Sequence, residues 1–104
     1  MTRYIIAPGA AQDIEEIVEH IARDNVNAAL ELEGQLIDAF CRLAKFPNSG
    51  HSRRDLTEDR QTLFWAEGMY LILYRIQGNA IEIAAVLHSA RDVPRILRHR
   101  NSGR

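Results

Sequence analysis

The stretch "VLHSARDVPRIL", Val86 to Leu97, sets a histidine, a serine, an arginine and an aspartate between two apolar patterns. Those residue types at that spacing admit two kinds of chemistry. His88 could act as a general acid or base, the chemistry for which histidine is the usual residue type. Arg91 could then supply the planar cation that meets a phosphate or carboxylate. The other chemistry is structural. Asp92 is placed to cap a helix whose first turn holds Val93 and Pro94, where proline is tolerated. Ser89 with Asp92 fits a weaker capping box. On this reading Ser89 and Asp92 serve the backbone and His88 is a strand-end residue making one hydrogen bond, while Arg91 has no local structural reason.

Other sources of chemistry are sparse. His20, His51, His88 and His99 form no i, i+4 pair and join no cysteine pair at zinc spacing, so no metal site is expected. No glycine-rich phosphate loop occurs, and no cofactor is expected. Cys41 falls on an apolar helical seam and reads as a packed thiol. "GHSRRDL" gathers His51, Arg53 and Arg54 in a loop where a phosphate or an acidic partner could dock, although a solvated loop is the plainer reading. Trp65, Tyr70 and Tyr74 alternate along strands and read as packing residues. Acidic residues lead in the first half, and arginines lead later: Arg53, Arg54, Arg60, Arg75, Arg91, Arg95, Arg98, Arg100 and Arg104, against one lysine, Lys45. A solvated basic tail accounts for the last arginines as well as a binding surface does.

The elements that must position these residues follow from composition and period. At 104 residues the chain suits one domain, 1–104, and 46% hydrophobic with 26% charged residues is the balance of an ordinary globular protein. The net charge of −1 gives no overall pull toward nucleic acid, and no direct sequence-specific nucleic-acid binding is expected. No run approaches the ~20 apolar residues that span a bilayer. The N-terminus turns acidic too early for a signal peptide. A cytoplasmic location is therefore expected, and a single cysteine agrees with it.

"RYII", Arg3 to Ile6, reads as a strand closed by the breaker Ala7-Pro8-Gly9. Ile14, Ile17, Val18, Ile21 and Ala22 then recur with helical period, with Asp13, Glu15 and Glu16 near the first turns. Asn27 is a credible cap for a longer helix over Ala28 to Lys45. That helix shows two seams: Ala29, Leu32, Leu36, Phe40, Leu43, and beside it Leu30, Gly34, Ile37, Cys41, Ala44. Together they predict a wide apolar face touching both a partner helix and a sheet. Gly34, which costs roughly 1 kcal/mol against alanine, fits either a close helix–helix approach or tolerated drift. After a polar loop, Pro47 to Gln61, the period becomes two. Strands are predicted over Thr62–Ala66, Met69–Ile76 and Ala80–His88, with turns at Glu67-Gly68 and Gln77-Gly78-Asn79. A basic helix follows from Val93 to about Arg100. The order β-α-α-β-β-β-α predicts an α+β fold, an antiparallel sheet packed on a helical hairpin with a short C-terminal helix. Ile17, Ile21, Leu36, Phe40, Leu73, Ile83 and Val86 are predicted to lie between hairpin and sheet.

Three stretches carry a resemblance: "AAQDIEEIVEHIARDN", "NAALELEGQLIDAFCRLAKFPNSGHSRRDL" and "YLILYRIQGNAIEIAAVLHSARD". Together they resemble ParE-type toxins of the RelE/ParE toxin–antitoxin superfamily over nearly the whole chain. The resemblance implies a type II toxin neutralised by a ParD-like antitoxin in a higher-order hetero-oligomer. It also implies a non-enzymatic inhibitor of DNA gyrase that blocks replication, as in plasmid stabilization systems. Arg75, Arg91, Arg95 and Arg98 are then the candidates for pairing with acidic antitoxin residues. The runner-up is the RelE-like branch, ribosome-dependent mRNA endonucleases, with His88 and Arg91 as catalytic candidates. Against it, Leu71 stands where such nucleases often carry arginine, and the chain has one lysine. A third reading is an inactive scaffold that only binds its antitoxin.

Overall fold

The structure, a computed structural model, describes residues 3–102, with side chains through residue 100; the two ends of the predicted 1–104 domain, Arg104 included, lie outside the described residues. The element order is β1 (Arg3–Ile6), α1 (Pro8–Ala22), α2 (Val26–Lys45), a 3₁₀ turn (Pro47–Ser49), β2 (Leu63–Glu67), β3 (Tyr70–Gln77), β4 (Ala80–His88) and α3 (Val93–Ser102). The predicted α+β order is the observed one.

Two helix starts differ from the sequence reading. Proline does not break the chain at Pro8 but opens α1 there, because its missing amide is unneeded in a first turn. Asp13 therefore sits in the second turn. The cap of α2 is Asn25, not Asn27: its side-chain oxygen accepts from the Ala28 amide at 3.0 Å. The Arg23–Asn25 turn reverses the chain into a helical hairpin.

The sheet order is β1-β4-β3-β2. β2, β3 and β4 form an antiparallel meander, while β1 joins β4 in parallel, so the predicted antiparallel sheet is mixed. Both hairpins turn through two residues, Gly68-Met69 and Gly78-Asn79, and only the glycines take positive φ, +58° and +61°. A positive φ at the first loop position alone is the pattern of a II′-type turn, which suits strand twist.

Both faces of the sheet are covered, which is why β3 and β4 are apolar almost throughout. One face carries Ile72, Tyr74, Ile81, Ile83 and Val86 against Ala10 of α1 and Leu36, Ala39, Phe40 and Leu43 of α2. The other carries Phe64, Leu71, Leu73, Ala85 and Leu87 against Val93, Ile96 and Leu97 of α3 and Leu56 of the loop. Leu73, expected between hairpin and sheet, belongs to this second layer. Ile17 and Ile21 are only half-buried. The α2 expectation is also corrected. The first seam is the packed one, widened by Ala39 and Ala44, whereas Leu30, Gly34, Ile37 and Cys41 are exposed. Among the described residues nothing approaches Gly34 within 4 Å of a built Cβ, so none of them provides a close helix partner there.

A bulge in β4 sets the phase of its far end. Leu73 pairs with Ala85 but Tyr74 with Ile83, leaving Ala84 as the extra residue. The inserted residue flips the alternation, so Ile83 and Val86, three apart, face the same helical hairpin. His88 follows Val86 by two and comes to the hairpin side, opposite Tyr70.

Phe40 is fully buried and meets the Tyr4 ring at a tilt of 55°, ring centres 5.5 Å apart. Phe40→Ala is expected to cost about 3–5 kcal/mol, read as a fall in the urea midpoint with an unchanged slope.

Candidate functional site

The histidine–arginine junction is built by the end of β4. The Ser89 amide donates to the Met69 carbonyl at 2.8 Å, extending the ladder with the β2–β3 turn. The Arg91 amide donates to the His88 carbonyl at 3.1 Å, and the Val93 amide to the Arg91 carbonyl at 2.9 Å. Inside this turn the Ala90 amide donates to His88 Nδ1 at 3.0 Å, which fixes that nitrogen as an acceptor. The imidazole meets Tyr70 edge-on, ring centres 5.2 Å apart. Asp92 Oδ1 accepts from the Arg95 amide at 3.2 Å, the N-cap bond of α3. Ser89 contributes its backbone rather than a capping-box bond.

His88 borders a cleft of about 230 Å³ between α1 and the ends of β3 and β4, shared with Glu16, Ile17, His20, Tyr70 and Arg91. The cleft thus joins two of the sequence-predicted residues, His88 and Arg91, to a second histidine from α1. His51 lies elsewhere, on an isolated bridge with Phe64. Among the described residues no group of three or more His, Cys, Asp or Glu could hold a metal ion.

The four arginines expected to bind a partner fall into two groups. Arg91, Arg95 and Arg98 are exposed. Arg95 and Arg98, three apart, share one side of α3, while Val93, Ile96 and Leu97 turn toward the sheet. Arg91 and Arg95 border one surface groove with Ile96 and His99. Arg98 borders another, about 400 Å³, with Arg54, Thr57 and Pro94. Arg75 is different. Its Nη2 donates to Asp59 Oδ2 at 2.6 Å and its Nε to Thr62 Oγ1 at 3.4 Å, so its fork is engaged within the fold. This pair pins the end of the long loop to β3. The loop's start is pinned by Tyr74, whose hydroxyl donates to the Pro47 carbonyl at 2.6 Å and accepts from the Gly50 amide at 2.8 Å. A Cβ on Gly50 would fall 2.5 Å from that hydroxyl, so glycine is required there. Burial pushes the Tyr74 phenol above its ordinary pKa. Arg53 of the loop is paired with Asp55 at 2.7 Å on the surface.

Sequence reasoning missed one constellation. Asp13, 7% exposed, accepts from the Val86 amide at 3.0 Å and takes both arms of the Arg100 guanidinium, at 2.6 and 3.1 Å. The paired carboxylate raises the Arg100 pKa further. The signal was present: Asp13 lies on the apolar stripe between Ala10 and Ile17, where a solvated carboxylate has no place.

Comparison with known proteins decides the family. Residues 4–93 match the family described as ParE toxin of type II toxin-antitoxin system, parDE. The chain belongs to this family of toxins. It is 31% identical over 88 residues to a Sinorhizobium fredii protein named "Putative toxin Y4kP", covering 85% of this chain and 88% of that one. Among solved structures, a chain of the chromosomal ParDE system from P. aeruginosa aligns at TM-score 0.68 and 19% identity, covering 85% of this chain and 95% of that one. A chain of the Mycobacterium tuberculosis RelBE2 toxin–antitoxin complex aligns at TM-score 0.58 and 24% identity, covering 84% and 96%. These likenesses establish the RelE/ParE fold for this ParE-family toxin.

The Asp59 clamp carries a pH signature. Burial opposes its charge, but the Gln61 amide, the Thr62 hydroxyl and Arg75 outweigh burial and hold its carboxyl below the usual value. A depressed folded pKa gives stability that is complete above the unfolded value of about 3.9 and is lost as pH falls through the lower folded value. Arg75→Met should therefore flatten part of the acid limb of the stability–pH curve, measured by thermal melts across pH 2–6.

Proposed function

We propose that this ParE-family toxin arrests growth in the cytoplasm by inhibiting DNA gyrase, without being an enzyme, and that a ParD-like antitoxin neutralises it in a higher-order complex. The observation that carries this reading is the state of His88. Its Nδ1 is taken by the Ala90 amide and its ring rests on Tyr70, which matches a strand-end histidine better than a poised base. The single lysine and Leu71 in place of an arginine support the same reading. The family match over residues 4–93 supports the toxin assignment, and the antitoxin expectation, which comes from the ParE resemblance, is supported by the ParDE system to which the aligned P. aeruginosa chain belongs.

Purified toxin should inhibit gyrase supercoiling in vitro and leave ribosome-bound mRNA intact. Cleavage of that mRNA with normal supercoiling, abolished by His88→Ala, would move the chain to the RelE-like branch. Neither effect, with antitoxin binding retained, would make it a scaffold.

The exposed arginines of the junction and α3 are assigned to the antitoxin. An acidic partner segment that orders on binding gains its affinity from apolar anchors and its rate from charge. Arg91→Glu or Arg95→Glu should slow association by roughly tenfold at low salt, and the wild-type rate should fall as salt rises. A flat salt profile with both variants silent would leave apolar docking alone. Arg75, clamped to Asp59, should matter less than Arg91 in the same series.

A further inference from the structure

Among the described residues the outer stripe of α2 has no partner within the fold. Val26 is 61% exposed, Leu30 59% and Ile37 43%, and Cys41 is exposed with them. With Gly34 they follow one another at three- and four-residue spacing along one side of the helix. Gly34 is the informative member. A glycine weakens a helix interior, and here a Cβ would meet nothing within 4 Å, so the isolated chain has no steric need for it. A glycine centred in an apolar stripe is needed where a second backbone comes close.

We propose that this stripe is a self-association surface, on which α2 of one copy crosses α2 of a second copy, antiparallel, at Gly34. The stripe is its own complement under a two-fold axis. Val26 and Leu30 precede Gly34 by eight and four residues, while Cys41 and Ile37 follow it by seven and three. Antiparallel crossing at Gly34 therefore sets Leu30 against Ile37 of the second copy and Val26 against Cys41, each contact made twice. A helix from an unrelated partner would demand no such symmetry. At each end Arg42 comes beside Asp24, a cation at one helix C-terminus meeting an anion at the other N-terminus. Glu31 and Asp38 flank the same edge and oppose their counterparts. One helix pair also covers less than the roughly 1,200 Å² of a stable complex. The contact is accordingly weak, with Kd on the order of 10–100 μM. This inference goes beyond the toxin assignment and does not rest on gyrase or on the antitoxin.

Cross-linking in the full chain tests it. Val26 and Cys41 of one copy lie about 22 Å apart along the helix and cannot bridge within it. Val26→Cys should therefore give an oxidation-dependent covalent dimer, lost when Cys41→Ser is added. Wild-type protein should sediment as a monomer–dimer equilibrium near 100 μM. Gly34→Glu should be monomeric at that concentration and melt no lower than wild type, because the site is open in the monomer. A Val26→Cys variant that stays monomeric would overturn the proposal, as would a wild-type dimer linked through Cys41 alone, which requires a different crossing point. Protection of the stripe only on adding antitoxin, with no self-association of the free toxin, would transfer the surface to the antitoxin.

Discussion

One carboxylate answers to three elements of this fold. β1 pairs with β4 only through Ile83, and its last link is the Ala7 amide on the Ile83 carbonyl. β4 runs on to His88, so the Val86 amide faces an edge that no strand covers. Asp13, on the second turn of α1, fills that edge, and Arg100 reaches it from α3 on the opposite side of the sheet. Buried amides demand partners, and a charged acceptor contributes about 1.5–3 kcal/mol per bond. In a domain whose whole stability is about 5–15 kcal/mol, that is a substantial share. The same interaction orients α3. With Arg100 drawn inward and Val93 packed on the sheet, Arg95 and Arg98 are left on the outer side.

The bulge at Ala84 is the second constraint, and it decides where the histidine goes. Without the extra residue, strict alternation would carry Val86 and His88 to the α3 side of the sheet. With it, they face the helical hairpin, and His88 meets Tyr70 across the β3–β4 pair and shares its cleft with His20. Bulges commonly re-aim a side chain near a functional surface. Here the re-aimed imidazole is then held by the turn that follows it, so the geometry that gathers the histidines also takes up one ring nitrogen.

Much of this was legible in the sequence, for identifiable reasons. The strand–helix–helix–meander–helix order follows from changes of period, and the Asp92 cap follows from "RDVP", because both are local. Misreadings came where one residue type serves two roles. Pro8 punctuates a loop or opens a helix, and only the first-turn geometry tells which. Asn25 and Asn27 are equally good caps by type. Leu73 was misplaced because a sheet covered on both sides reads as one apolar run, which hides which layer each residue serves. The wide α2 face was overestimated because periodicity reports an apolar stripe, not what covers it. The Asp13–Arg100 pair joins positions far apart in the chain, and no local pattern announces the partner of a carboxylate on an apolar stripe.

The arginines divide between those paired within the fold and those left exposed. Arg75 and Arg100 are spent on the molecule itself, one fastening the long loop to β3 and the other fastening α3 to α1. Arg53 is balanced by its neighbour Asp55. Arg91, Arg95 and Arg98 remain on the surface. A planar guanidinium suits both duties, since its fork meets a carboxylate whether that carboxylate is internal or brought by a partner. Charge count alone could not sort them, because the sorting depends on which carboxylates the topology brings within reach. Asp59 and Asp13 each neutralise one arginine within the fold, while Arg91, Arg95 and Arg98 stay exposed on a chain of net charge −1. Those arginines sit beside a junction whose histidine and aspartate already hold the backbone, His88 through the Ala90 amide and Asp92 through the Arg95 amide.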